Sequence, residues 1–390
     1  MRYRKLGKTG VDASILGFGA MRLPMLGSGN PADAFDPNVP IDETEAAKMI
    51  EHAIEHGVNY FDTAYGYHGG KSEIFLGKAL KKHRSKVMIA TKLPTWNVEK
   101  EADLERFFNE QLSKLGTDYI DCYLIHGLGA ANWVKMKNLG TLNFFDRLRS
   151  SGQVRFVGFS FHDEIKVFKE IVDGYDWSMC LVQYNFYDQN YQAGQEGVAY
   201  AAAHGMGVVV MEPLRGGKLV DKIPPEVQAI WDSAPVKRSP VEWAMKWVWN
   251  QANVTTVLTG SSSLAQLAEN ARFAQEASAG CLSPEDQAVI DRARAAYRKM
   301  LKVDCTGCGY CMPCPSGVNI PHNFTLYNDS FLFKGAEFNA FFYNRLLAPD
   351  QRASNCNECH TCEEKCPQKI NVPEALKEVH QKLGEPPKQS

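Results

Sequence analysis

Two groups of side chains in this 390-residue chain have types and spacings that can do chemistry. The first is a pair of cysteine runs near the C-terminus, Cys305-Thr-Gly-Cys308-Gly-Tyr-Cys311-Met-Pro-Cys314-Pro315 and Cys356-Asn-Glu-Cys359-His-Thr-Cys362-Glu-Glu-Lys-Cys366-Pro367. These runs hold eight of the eleven cysteines. Two-residue gaps let a tight loop turn three thiolates toward one centre, and a fourth cysteine before proline completes the ligand pattern of a four-iron cluster. Zinc sites also use short gaps, but they split into two separated pairs, and neither run does. A disulfide framework belongs to small secreted domains, and the chain opens MRYRKLGKTG with no apolar signal segment. The second group is Asp62, Tyr67, Lys92 and His126, each at or just after the end of a short apolar run. A carboxylate, a phenol, an ammonium and an imidazole together make an acid–base set. Any one of them alone reads as ordinary packing; four on three consecutive runs do not.

The elements that must position these groups alternate strand and helix. Candidate strands are Ser14–Gly19, Val58–Thr63, Val87–Lys92, Ile120–His126, Val154–Ser160, Leu181–Asn185, Val208–Glu212 and Thr256–Gly260. Short continuous apolar runs suit parallel strands buried on both faces. Between them, Asp42 with Glu45 reads as a helix start and Gly57 as its stop, and Ser239-Pro240 opens another helix. Leu104, Phe107, Phe108, Leu112 and Leu115 line one face at helical spacing. Eight strand–helix units predict an α/β fold, a (β/α)8 TIM barrel, whose chemistry gathers at the C-terminal strand ends. An open doubly wound sheet is the alternative, but Gly17-Phe-Gly19-Ala-Met-Arg22 lacks the third glycine of its fingerprint. Met1–Val11 reads as a hairpin turning at Lys8-Thr9-Gly10 that plugs the barrel base, and Met25–Pro40 as a loop. The domains expected are a barrel over 1–282, a linker helix over 283–303 and a small, mainly helical iron–sulfur domain over 304–390.

A formal net charge of −2 gives no electrostatic case for nucleic acid or an anionic membrane, and no apolar run approaches a bilayer span. A reducing cytoplasm is the setting expected, where thiolate ligands survive. Cys122 and Cys180, in apolar stretches, read as inert core.

With these residues in view, the first 280 or so positions resemble the aldo/keto reductase family. Asp62, Tyr67, Lys92 and His126 match its catalytic tetrad, and Arg4-Lys-Leu-Gly-Lys-Thr-Gly10 and Leu16-Gly-Phe-Gly19 also look like it. The resemblance implies an oxidoreductase using NADP(H) or NAD(H) to reduce a carbonyl, or to oxidise an alcohol in reverse. A free tyrosine titrates near about 10, and a nearby Lys92 ammonium is expected to lower that value. Asp62 would hold Lys92 charged, Tyr67 would protonate the carbonyl oxygen as hydride arrives, and His126 would orient that oxygen. Gly158-Phe-Ser160 and Gln183 match positions that hold the carboxamide. Pro213-Leu214-Arg215-Gly-Gly217-Lys218-Leu219 matches the loop over the pyrophosphate. Gly260-Ser261-Ser-Ser263-Leu-Ala-Gln266-Leu-Ala-Glu269-Asn270 matches the adenine side, and Gly19 and Met21 complete the cofactor set. Met211 stands where many members stack an aromatic ring, which leaves room for a flavin as an alternative occupant. Gln266 stands where many have an arginine, so the choice between NADP and NAD stays open. Trp96, Trp133, Tyr187 and Met25 fall on catalytic-end loops as pocket walls or as packing.

The cysteine runs resemble bacterial two-cluster ferredoxins, in which the fourth cysteine of each run ligates the other cluster. That resemblance implies one 4Fe-4S cluster on Cys305, Cys308, Cys311 and Cys366, and another on Cys356, Cys359, Cys362 and Cys314. The first run departs from the usual spacing, with only Met312 and Pro313 before Cys314. The aromatic-rich segment between the runs would supply a dry shell. Clusters carry single electrons and nicotinamide carries two, so the clusters serve either relay to a redox partner protein or structure. The substrate class is a small carbonyl or alcohol.

Overall fold

A computed structural model of the chain describes residues 1–27, 39–221, 223–305, 307, 309–333, 336–366 and 368–384. Cys308, Pro367 and most of the Met25–Pro40 loop therefore lie outside the described residues. The chain divides into two compact units, Met1–Gly216 with Val241–Ser283, and Gly217–Pro240 with Pro284–Ser390.

The first unit opens with an antiparallel pair, β1 (Tyr3–Lys5) and β2 (Asp12–Ser14), joined through a 3-10 turn at Gly7–Thr9. The strands that follow are β3 (Leu16–Gly19), β4 (Tyr60–Asp62), β5 (Met88–Leu93), β6 (Ile120–Leu128), β7 (Val154–Phe161), β8 (Met179–Gln183), β9 (Gly207–Met211) and β10 (Thr256–Thr259). They close into a parallel barrel in the order β10-β3-β4-β5-β6-β7-β8-β9, which is the (β/α)8 architecture. The hairpin does plug the base: Leu6 and Ala13 join a core cluster with Tyr60, Met88, Ala90, Cys122, Leu124, Met179, Leu181, Val209 and Leu258. Lys8 N donates to Gly205 O at 2.6 Å, and a Cβ on Gly7 (φ +52°) would run into the Gly205 and Gly207 backbone. Only glycine allows that approach.

Most strand ends differ from expectation by one or two residues, and three of the differences have a local reason. The fourth barrel strand does not stop at His126: its register against β7 shifts between Ile125 and Leu128, with Gly127 at φ +63°, and pairing resumes at Leu128–Phe161. The sixth ends at Gln183 rather than Asn185, because the Asn185 carboxamide accepts from Tyr187 N (3.1 Å) and Asp188 N (2.8 Å) and turns the chain. The seventh ends at Met211, because Glu212 adopts φ +53°.

Helices cover the barrel where their caps predict. Asp42 Oδ1 accepts from Glu45 N at 3.0 Å to start Glu43–Glu55, Gly57 (φ +84°) follows its end, and Pro240 opens Pro240–Asn250. Ala102–Leu115 buries Leu104, Phe107, Phe108 and Leu115, leaves Leu112 half-buried, and also buries Gln111, which shares their face at helical spacing. Among the described residues no helix is long and apolar enough to cross a membrane.

The second unit is helical. Pro284–Lys299, expected as a linker, packs against Pro225–Asp232, and Arg238 pairs with Asp286 at 2.7 Å. Ile320–Leu332 packs along Val372–Leu383, joined by a Tyr327 Oη to Glu378 hydrogen bond of 2.8 Å. Asn328 holds the approach to the first cysteine run, accepting from Lys302 N and Val303 N at 2.9 Å and donating to Val303 O at 2.8 Å. Val318, Ile320, Phe324, Tyr343, Val372, Leu376 and Val379 form the centre of its apolar core. Such a core gives cysteine ligands a dry flank.

Candidate active site and metal centre

The alternation of a β-strand decides which side chains reach the barrel mouth. Residues two apart face one side of a strand. Tyr60, then Met88 and Ala90, then Cys122 and Leu124, then Met179 and Leu181, then Val209 fill the barrel core. One further step along each strand reaches Asp62, Lys92, His126, Gln183 and Met211. Asp62, Lys92 and His126 therefore lie in the last layer of the barrel interior, Tyr67 joins them from the turn after β4, and the shift at His126-Gly127 lies in that layer, where such irregularities re-aim a side chain.

Lys92 Nζ is the hub. It donates to Asp62 Oδ1 at 2.6 Å and to Thr63 O at 2.7 Å, and it lies 3.5 Å from Tyr67 Oη. All of these side chains are buried except part of Tyr67. Burial pushes the Asp62 carboxyl up, and the Lys92 charge pulls it partly back. Burial works against the Lys92 ammonium too, but Asp62 and Tyr67 outweigh it and raise the ammonium above its ordinary value. Tyr67 departs from expectation. Burial raises its phenol, and the Lys92 charge only moderates the rise, so the group is held protonated. Tyr67 sits edge-on to His126, with ring centroids 6.1 Å apart, and Trp96 lies 4.7 Å from His126 on the other flank. The turn that seats Tyr67 is tight: His68, Gly69 and Gly70 have φ of 51°, 62° and 85°. His68 is buried and accepts from Leu23 N at 3.2 Å, tying this turn to the segment after β3.

Burial drives His126 well below its ordinary value of 6.5, and the Lys92 and His162 charges add to the depression. Its Nδ1 is buried without a hydrogen-bond partner. A histidine lowered on folding binds its proton more readily in the unfolded chain. The stability it confers is full above about pH 6.5 and is lost as pH falls below that value. The melting temperature is therefore expected to fall less between about pH 7.5 and 5.0, which bracket that value, in His126→Gln than in the parent. The comparison isolates His126 from Asp62 and Glu73, whose raised carboxyls act in the opposite sense. Equal slopes by circular dichroism melting would exclude a neutral, buried His126.

Behind the rim, Gln111 Nε2 donates to Glu73 Oε1 (2.6 Å), Thr91 Oγ1 (3.0 Å) and Lys92 O (3.1 Å), and Tyr123 Oη donates to Gln111 Oε1 (2.8 Å). This buried network fixes the backbone that carries Lys92.

The residues expected around a nucleotide fall on neighbouring strand ends of the first unit, with two exceptions. Ser160 is buried and its Oγ accepts from Gly127 N at 2.8 Å. Gln183 Nε2 donates to Asp188 Oδ2 at 2.9 Å. Met211 ends β9, and Pro213 and Leu214 lead to Arg215, which is buried and paired with Asp188 at 2.9 Å. Gly19 approaches Thr259 O, 3.1 Å from where a Cβ would stand, and Met21 follows on the same segment. Gly260 and Ser261 follow β10, and Ser263 caps Leu264–Glu276, the helix that carries Gln266, Glu269 and Asn270. Asn270 Nδ2 donates to Thr259 Oγ1 (3.0 Å) and Ser261 Oγ (3.2 Å), while its Oδ1 is buried without a partner. Gly217 and Lys218 belong to the second unit, where Lys218 Nζ pairs with Asp329 at 2.8 Å. Both cations expected over the pyrophosphate thus have carboxylate partners. Arg22 was not singled out from sequence, yet its Nη1 donates to Gly216 O at 3.1 Å and its Cδ lies 3.4 Å from where a Gly260 Cβ would stand. Of the proposed pocket walls, Trp96 is 57% exposed, whereas Trp133 is buried against Trp177. Tyr187 lies under the Arg215 guanidinium, and Met25 bridges to Ile41.

The second unit brings cysteines of both runs together. One cavity is lined by Cys305, Cys311 and Cys366 with Gly309, Phe324 and Ile370. Cys362 is buried, and its thiol is pushed up to about 11, first by burial and then by Cys356, Cys314 and Cys359. Each of these two groups holds cysteines of both runs. Cys308 belongs by sequence to the first set but lies outside the described residues. Among the described residues no three His, Cys, Asp or Glu side chains are close enough to hold a single metal ion. Cys122 and Cys180 are buried, and burial pushes both thiols up, as inert core residues require.

Comparison with known proteins agrees with this geometry. Residues 16–294 match the model of the Aldo/keto reductase family, and residues 304–371 match a 4Fe-4S dicluster domain. The chain is 27% identical over 305 residues to the uncharacterized oxidoreductase YqkF of Bacillus subtilis, covering 70% of this chain and 91% of the relative. It is 27% identical over 289 residues to L-galactose dehydrogenase of Arabidopsis thaliana, covering 68% and 86%. Among solved structures it resembles the aldo-keto reductase AKR11C1 from Bacillus halodurans in its holo form. That match has a TM-score of 0.61 and 29% identity, and it covers 75% of this chain and 96% of the other. The barrel, its rim and these matches converge, and the chain belongs to the aldo/keto reductase family, with a 4Fe-4S domain following its barrel in sequence.

Proposed function

We propose that the barrel transfers hydride reversibly between NADP(H) or NAD(H) and a small carbonyl–alcohol pair. The observation that carries this reading is the buried Lys92 ammonium, 2.6 Å from Asp62 and 3.5 Å from Tyr67 at the barrel rim. Bound nicotinamide supplies the hydride. Tyr67, held protonated by burial, gives its phenolic proton to the carbonyl oxygen. The Lys92 cation stabilises the tyrosinate left behind, and Asp62 keeps Lys92 charged in a buried place. Neutral His126 orients the substrate oxygen from the other side. Ser160 already accepts from Gly127 N, so its hydroxyl proton is available to the carboxamide oxygen. Trp96 offers an exposed ring beside His126 for the rest of the substrate.

The second unit, on the same proposal, carries two 4Fe-4S clusters, and its two mixed cysteine sets support that number. They would exchange single electrons with a partner protein in a reducing cytoplasm. The charge balance offers no attraction for nucleic acid. The test uses protein purified anaerobically. Loss of reduced-nicotinamide absorbance is followed with NADPH and with NADH against a panel of aldehydes and ketones. Sugars head the panel, since one relative is named for L-galactose. Carbonyl-dependent oxidation of either cofactor is expected; its absence across the panel, with no nucleotide bound, would remove the reading.

A further inference from the structure

We propose that Asp188 is a positioning residue for the nicotinamide subsite: it orients Gln183 so that only the amide oxygen is offered to the cofactor. The inference deepens the hydride-transfer reading and rests on it. Asp188 is buried, five residues past the end of β8. Its Oδ2 accepts from Gln183 Nε2 (2.9 Å), Asn185 Nδ2 (3.2 Å) and Arg215 Nε (2.9 Å). Its own backbone N–H donates to Asn185 Oδ1 at 2.8 Å, which pins the carboxylate from its main chain.

The argument is one of donor and acceptor. An ionised carboxylate only accepts. Gln183 can satisfy it only with its NH2, so the amide cannot flip without placing oxygen against oxygen. Arg215 brings a third donor to the same oxygen from the segment after β9 and braces it. Gln183 Oε1 then remains, and no described group donates to it. Ser160, whose Oγ already accepts from Gly127 N, offers a donor on the neighbouring strand end. A primary carboxamide carries one acceptor and one NH2. The pair Ser160 and Gln183 matches it only while Gln183 keeps this orientation. Glutamine amides left without a fixed neighbour adopt either orientation. Arg215, which the resemblance placed in the loop over the pyrophosphate, thus acts through Asp188 on the nicotinamide end instead.

The test compares two ligands on the full chain by quenching of protein fluorescence. One is whichever of NADPH and NADH binds more tightly. The other is its 3-acetylpyridine analogue, whose methyl ketone keeps the carbonyl and lacks the NH2. The parent should bind the carboxamide form about tenfold more tightly, the size of one lost hydrogen bond. Asp188→Asn places an amide that can donate as well as accept beside Gln183, and the preference should fall to about twofold or less. Should that variant not fold because the buried Arg215 loses the Asp188 charge, Asp188→Asn combined with Arg215→Gln removes both charges and should show the same fall. The ratio of two affinities is insensitive to a general loss of folded protein. A parent that binds both ligands equally, or a folded variant that keeps the full preference, overturns the role of Asp188 and leaves the nicotinamide reading standing. A parent that binds no nicotinamide nucleotide overturns both.

Discussion

Tyr67→Phe is expected to lower the rate of carbonyl reduction by about 10²–10⁴-fold, the range associated with a positioned general acid. The substitution removes one oxygen and keeps the ring. The edge-on contact with His126 at 6.1 Å belongs to the ring and survives. Lys92 loses its longest contact, 3.5 Å, and keeps Asp62 at 2.6 Å and Thr63 O at 2.7 Å. Fold and nucleotide affinity should therefore stay close to those of the parent, so the loss appears in kcat. Replacing Lys92 would instead leave Asp62 as an unpaired buried carboxylate, a change that costs about 3–5 kcal/mol and confounds chemistry with stability. Tyr67 is thus the cleaner probe. Steady-state rates with the best carbonyl of the panel decide it. A variant that reduces that carbonyl at the parental rate would falsify the assignment of Tyr67 as proton donor.

The barrel and the placement of Asp62, Lys92 and His126 at its rim were readable because parallel strands buried on both faces appear as short apolar runs, and because strand alternation carries the interior pattern of Tyr60, Ala90 and Leu124 one step further to those three residues. What escaped the reading depends on partners distant in sequence. Arg215 and Lys218 look like phosphate-binding cations by type and neighbourhood. Their carboxylates, Asp188 and Asp329, lie 27 and 111 residues away, and nothing local announces them. Gln111 shares the apolar face of Ala102–Leu115, so its burial follows from helical spacing, but its partners, Glu73 and the carbonyl of Lys92, do not. Lys92 does act to lower the Tyr67 hydroxyl, as expected, but the net shift is upward for a related reason. The charge was visible in the sequence, but the depth of burial that outweighs it was not. Asn185 shows the same limit at a strand end. It follows an apolar run, and only its side-chain bonds to Tyr187 N and Asp188 N show that the strand has already stopped.

The largest expected change in composition comes from single cysteine substitutions. The parent, purified anaerobically, should contain about eight irons per chain, four for each cluster. Cys366→Ala and Cys314→Ala should each reduce this to about four, since loss of one thiolate exposes an iron of one cube and leaves the other intact. Iron counts of single variants do not reveal which cluster was lost; pairs of substitutions do. Cys305 and Cys366 line one cavity, so Cys305→Ala/Cys366→Ala touches one cluster and should still hold about four irons. Cys356 lies with Cys362 in the other set, so Cys356→Ala/Cys366→Ala touches both and should hold almost none. If each run instead filled its own cluster, the two double variants would exchange results. The first would strip both clusters and the second only one. Iron and acid-labile sulfide measured on the same samples separate the cases, because the predicted difference between the two double variants is a whole cluster. A mixed pairing also has a mechanical consequence. Each cluster then ties the segment before Ile320–Leu332 to the segment before Val372–Leu383, helices that already pack along one another in the second unit. Loss of either cluster should therefore loosen both segments, whereas clusters confined to their own runs would leave the distant segment as it was.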